Sequence, residues 1–207
     1  MFDTLELLKQ GGWTMVPLGL CSVAAGAIII ERAFALRRRN VLDARVLRAI
    51  NAYTDGAPPE TVANACRDGK SPLARIIVET LQTRDLDYHQ AIEKMHAAGR
   101  LQVGSLERGL TVLEIIAAVS PLLGLLGTVL GMVTVFNAIS AAGLGDPNVL
   151  SAGISKALIT TVAGLCIAIP ALAFHGLYMK RAEDLATEMQ DRATEFIVRL
   201  HAPGNGR

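Results

Sequence analysis

The chain has 207 residues, with 20 basic against 19 acidic side chains, and 51% of it is hydrophobic while only 4% is aromatic. A net charge of +1, with no basic block long enough to follow a phosphate backbone, argues against nucleic acid as a partner. The aliphatic excess over an ordinary soluble domain points instead to segments that leave water.

Residues 1–12, MFDTLELLKQGG, set Phe2, Leu5 and Leu8 at helical spacing beside Asp3, Glu6 and Lys9. This predicts a short amphipathic helix at the outer membrane surface. Its mixed charge, and the "ERAFALRRR" that follows the first apolar run in place of a small-residue cleavage site, argue against a cleaved signal peptide. Three stretches poor in charge, 13–30, 115–140 and 157–179, each approach or exceed the ~20 residues that cross hydrocarbon as a helix. They predict membrane helices over 13–36, 109–140 and 152–179.

Between the first two spans, residues 37–108 read as a cytoplasmic helical domain, broken by "TDGAPPE" at 54–60 and "RDGKSP" at 67–72. From Tyr88 onward Ile92, Met95, Gly99, Val103, Leu106, Leu110 and Leu113 recur at steps of three and four. That stripe predicts one helix continuous into the second span, and over the 53 residues to Ser140 it would measure roughly 80 Å. Residues 141–151 are expected to form a short periplasmic loop. After the third span, 180–207 carry a second stripe, Leu185, Met189, Ala193, Phe196 and Leu200, which predicts a cytoplasmic C-terminal helix. The fold class expected is all-α: a polytopic membrane protein of three transmembrane helices, the second and third extended into a cytoplasmic helical bundle.

Lys and Arg number one in 1–12, twelve in 37–110, none in 141–150 and five in 179–207. Cytoplasmic loops retain positive charge, so the N-terminus is placed outside and the C-terminus inside. Cys21, Cys66 and Cys166 lack CxxC spacing and an external pairing, and His89, His96, His175 and His201 lack metal-ligand spacing. No phosphate loop or nucleophile elbow is present. Neither an enzyme nor a cofactor or metal is expected.

Within lipid, helices associate through close packing of small residues. Gly127 and Gly131 stand four apart, as do Gly164 and Ala168, with Gly124 near the first pair and Pro121 and Pro170 as expected kinks. Such motifs are read either as plain packing or as the frame of a polar path. The second reading comes from the hydroxyls. At about 100° per residue, Ala117, Pro121, Gly124, Thr128 and Val135 share one face, and Glu114 lies about 40° from Thr128. Thr128 sits about 18 Å below Ser140, and Thr161 about 14 Å below Ala152. Opposite chain directions then bring both threonines near the midplane.

Nearly the whole chain resembles the ExbB/TolQ/MotA proton-channel subunits of bacterial energy-transducing motors. The residues that carry the likeness are "GGWTMVPLGLCSV" with "IIIERAFALRRR", "SPLLGLLGTVLGM", and "GISKALITTVAGLCIAIPA". Three spans place the likeness in the ExbB/TolQ branch. The resemblance implies a homopentamer in the bacterial inner membrane around a one-span partner of the ExbD/TolR type, whose aspartate carries the proton, and a further, TonB/TolA-like partner that spans the periplasm. Thr128 and Thr161 match the family's pore threonines, with Thr160 and Glu114 as further path candidates. Neither pore-forming span has a carboxylate at mid-membrane, which fits that division of labour. Lys156 stands where the family often has glutamate. At about 140° from Thr161 it is expected to meet a neighbouring subunit, a lipid headgroup or Asp146 rather than the ion. The alternative function is a non-conducting membrane scaffold. The threonines are compatible with H⁺ or Na⁺.

Overall fold

The structure, a computed structural model, describes residues 13–54, 56–67, 69–142 and 147–202. The expected surface helix over 1–12, Asp146, and the side chain of Lys156 lie outside what is described. Eight helices occur among the described residues: α1 Met15–Ala35, α2 Arg38–Val41, α3 Ala44–Thr54, α4 Pro59–Ala65, α5 Pro72–Leu81, α6 Tyr88–Glu107, α7 Leu110–Ala142 and α8 Pro147–Leu200. No strand occurs among them, and three helical stretches are long and apolar enough to cross a membrane. The all-α membrane class read from the sequence is therefore the class observed.

The chain divides into two compact units, and α1 and α8 each contribute residues to both. The first unit comprises Met1–Ile30 and Gly109–Gly176. Here α7 is strongly apolar with no single hydrophobic face, as suits a helix surrounded by lipid and other helices, and Glu114 is its one charged residue. Ala25 of α1, Leu113, Ile116 and Ala117 of α7, and Ala171 of α8 form its buried cluster, flanked by Cys21, Ala24, Ile28, Ile29 and Ile167. Alanine predominates in this cluster because short side chains let helix backbones approach where lipid supplies no hydrophobic drive.

The second unit comprises Glu31–Arg108 and Leu177–Arg207, and has a conventional apolar core. Leu73, Ile76 and Ile77 of α5, Met95 of α6, and Met189, Phe196 and Ile197 of α8 are almost wholly buried. Tyr53 meets Phe196 with ring centroids 5.3 Å apart. The expected stripe on the last part of α8 faces this core, from Leu185 through Met189, Ala193 and Phe196 to Leu200. Helix starts carry local signals: Ser71 Oγ accepts from the Ala74 N–H at 3.2 Å ahead of Pro72, and Asp87 accepts from the His89 N–H at 3.1 Å.

The expected continuous helix from Tyr88 into the second span is two helices. α6 ends at Glu107, Arg108 turns to an extended ψ of 128°, and Gly109 takes φ +85° before α7 begins. Glycine enters that left-handed region without a Cβ penalty, so the apolar stripe runs on while the backbone does not. The carbonyls freed at the end of α6 are met by Arg32, whose guanidinium donates to Leu106 O at 3.1 Å and Ser105 O at 3.4 Å. Arg32 is 5% exposed and also pairs with Glu31 at 2.6 Å.

Candidate functional site

Glycines decide how α7 and α8 meet. A Cβ built on Gly164 would lie 2.5 Å from Ser120 O, and one on Gly124 would lie 2.9 Å from Thr160 O and 3.0 Å from Thr161 Cα. On Gly127 it would meet the Thr160 side chain at 2.5–2.9 Å, and on Gly131 it would meet Ala157 Cβ at 3.1 Å. These pairings run in steady antiparallel register, so the small residues of the two spans form one continuous seam. Ala168 is buried as well. Pro121 and Pro170 lie inside α7 and α8 respectively, each removing one backbone donor from its helix.

The three threonines are not equivalent. Thr160 is 1% exposed, wedged against Gly127, and its hydroxyl points at Ala157 O at 2.7 Å and Gly124 O at 3.2 Å. Thr161, half-buried, donates to the same Gly124 O at 3.3 Å. Thr128, one turn along α7, donates back to Leu125 O at 2.7 Å and is half-exposed. The register puts Thr128 and Thr161 within about one helical turn of the same depth. Their protons are committed to backbone carbonyls, but each oxygen keeps lone pairs that can accept from water or a hydrated ion.

Glu114 occupies the other end of the seam on α7, largely exposed, and its Oε2 lies 3.9 Å from Nε2 of His175 on α8. The sequence spacing gave no reason to single out His175 for metal binding. The feature that could have found it is positional: it follows Thr161 by as many residues as Glu114 precedes Thr128. Ser120 was also missed. It is wholly buried, its hydroxyl donates to Ile116 O at 2.7 Å, and its own carbonyl is the surface on which Gly164 rests. Among the described residues, no three His, Cys, Asp or Glu side chains gather as a metal ion would require.

In the second unit, Arg38 forks onto Glu188, with Nε to Oε2 at 3.1 Å and a second, shorter contact from the guanidinium to Oε1. Hydrogen bonding from Arg38 holds the Glu188 carboxyl below the usual carboxylate range. Burial, reinforced by Asp43, pushes the Cys66 thiol up to about 11. That thiol is a core residue rather than a nucleophile.

Residues 68–191 match the family described as the MotA/TolQ/ExbB proton channel family. The chain is 33% identical to a putative biopolymer transport protein, ExbB-like 3, of Synechocystis, over 81% of either chain. It is 34% identical to the biopolymer transport protein exbB1 of Vibrio cholerae, over 81% of this chain and 75% of that one. With the Tol-Pal system protein TolQ of Pseudomonas aeruginosa it shares 27% identity over 90% of this chain and 86% of the relative.

Proposed function

The chain belongs to the MotA/TolQ/ExbB proton channel family, and we propose that it is the ion-channel subunit of an inner-membrane motor that converts proton-motive force into mechanical work on a periplasm-spanning partner. The single observation that supports this most is the composition of the α7–α8 seam. It brings Thr161 and Thr128 to a common depth on half-buried faces, yet the described part of the membrane unit holds no carboxylate at that depth. Hydroxyls hydrate a path but carry no proton across it, so the titrating group must come from another chain. A one-span partner of the ExbD/TolR kind supplies it in this reading, inside a ring of five copies. Thr160 then serves the seam more than the path. The N-terminus faces the periplasm and the C-terminus the cytoplasm in this reading, which the Lys and Arg distribution supports. Lys156, off the path face of α8, contacts a neighbouring copy or an outer-leaflet headgroup.

The test is replacement of both Thr128 and Thr161 by valine, which keeps their branched shape. The double variant is expected to assemble normally with its partner and to lose coupled proton flux in proteoliposomes. Undiminished flux at normal expression would remove the threonines from the path and favour a non-conducting scaffold.

A further inference from the structure

Among the described residues of the first unit there is one carboxylate and one imidazole; the other ionisable residues are the thiols of Cys21 and Cys166 and Lys156, whose side chain is not described. The fold brings that acid and that base together, with His175 Nε2 at 3.9 Å from Glu114 Oε2. The antiparallel register is the reason. Glu114 precedes Thr128 by fourteen residues and His175 follows Thr161 by fourteen. Each is therefore about 21 Å along the axis from its threonine and turned from it by about the same 40°.

The two environments differ. His175 is only 15% exposed, and its Nε2 is buried with no hydrogen-bond partner, whereas the Glu114 side chain is 62% exposed. The residues of the adjoining cluster carry no charge: Ala25, Ile28 and Ile29 from α1, Leu113 and Ala117 from α7, Ala171 from α8. A carboxylate presented to hydrocarbon is costly, so the exposed face of Glu114 belongs on a water-lined surface or against another chain.

We propose that Glu114 and His175 form a proton-transfer pair at the cytoplasmic end of the ion path, a reading that rests on the channel function above and adds the group that exchanges protons with the cytoplasm. The pair holds one exchangeable proton without net charge, either as imidazolium and carboxylate or as imidazole and carboxylic acid. Near hydrocarbon, gain or loss of a proton leaves an uncompensated charge and is transient. For inward transfer, a proton descending the path bonds to a Glu114 carboxylate oxygen while His175 is imidazolium. The imidazolium then gives its Nε2 proton to cytoplasmic water, by rotation of the ring or through one bridging water, and Nε2 is left free. The Glu114 O–H proton passes to Nε2, which restores carboxylate and imidazolium: one proton has entered and one has left. The 3.9 Å gap exceeds a hydrogen bond by about 1 Å, within reach of a rotation of the exposed glutamate or of one bridging water.

The experiment uses the full complex of the chain with its one-span partner in proteoliposomes, with a pH-sensitive dye inside and an imposed membrane potential. Proton flux is followed while the internal pH is stepped over the range from about 6 to 8.5. Glu114→Gln is expected to lower flux about tenfold or more. His175→Gln is expected to lower it less and to flatten its dependence on internal pH. Glu114→Asp, which retracts the acid by one methylene and keeps the charge, is expected to slow flux with an unchanged pH profile and so guards against a folding defect. Exchange of the two residues, Glu114→His with His175→Glu, is expected to recover part of the flux. Wild-type flux and pH profile in both Gln variants, while the Thr128→Val, Thr161→Val control is impaired, would overturn the pair alone. An equal loss in both with no change in pH profile would make it a structural ion pair only. Absence of flux from the wild-type complex would overturn the channel reading and the pair with it.

Discussion

Single residues in the α7–α8 seam differ by what a methyl group would strike. At Gly164 it would strike the Ser120 backbone carbonyl, which cannot yield without the helices separating. Gly19 and Gly26 of α1 face open space. Gly164→Ala is therefore expected to destabilise the protein by about 1–3 kcal/mol, as overpacking does. Gly26→Ala should be neutral or mildly stabilising on helix propensity. Thermal unfolding of the two variants in detergent compares them directly. In the second unit, Glu188 supplies a pH-dependent contribution of known sign. Its carboxyl is held below the ordinary 4.5, so its stabilisation is present above that value and is lost as pH falls through the lowered one. Both side chains are partly exposed, so the effect is small. Glu188→Gln should leave a shallower acid limb in stability against pH, and an unchanged limb would show the pair to be inert.

At the scale of elements, the α6–α7 junction joins a backbone break to its own cap. Gly109 adopts φ +85° and Arg32 covers the carbonyls that the break releases. Gly109→Ala places a Cβ in the left-handed region and is expected to cost about 1–2 kcal/mol. Arg32→Met keeps much of the buried stem but strands two carbonyls and leaves Glu31 unpaired, at a cost of about 1–3 kcal/mol. Hydrogen exchange gives a sharper reading than global stability. Amides in the last turn of α6 should lose protection in Arg32→Met while those of α5 keep theirs. Equal loss in both would mean that Arg32 supports the whole second unit rather than one helix end.

For the whole molecule, the decisive feature is the want of a carboxylate at mid-depth among the described residues of the membrane unit. Thr128 and Thr161 have no described carboxylate beside them, so the chain reconstituted alone should pass few protons, and flux should appear only with a partner that brings an aspartate. Dye-loaded vesicles with and without that partner test this; a robust current from the isolated chain would contradict it. Lys156→Gln is expected to weaken assembly or coupling mildly, with ion selectivity unchanged. Abolished transport in intact complexes, or a change in the ion carried, would put Lys156 on the path.

Much of this was legible along the chain because hydrocarbon imposes a strong, local rule: about twenty apolar residues make a span, and every backbone group must be satisfied within it. The three spans and the all-α class follow from spacing alone; spacing also singles out Gly124, Gly127, Gly131 and Gly164 as packing positions and proposes a similar depth for Thr128 and Thr161. Side-chain periodicity is blind to backbone breaks, however. The stripe from Ile92 to Leu113 passes through Gly109 unaltered, and only the tertiary structure shows two helices, because a left-handed glycine can stand between them and Arg32 can cap the first. Nor does spacing distinguish adjacent hydroxyls. Thr160 and Thr161 differ by one helical step, and it took the contact with Gly127 to bury the first and leave the second half-exposed. The meeting of Glu114 with His175, sixty-one positions apart, was settled by the same packing register. Local composition determined which segments leave water; which polar atoms face one another was decided by how closely two helices can approach.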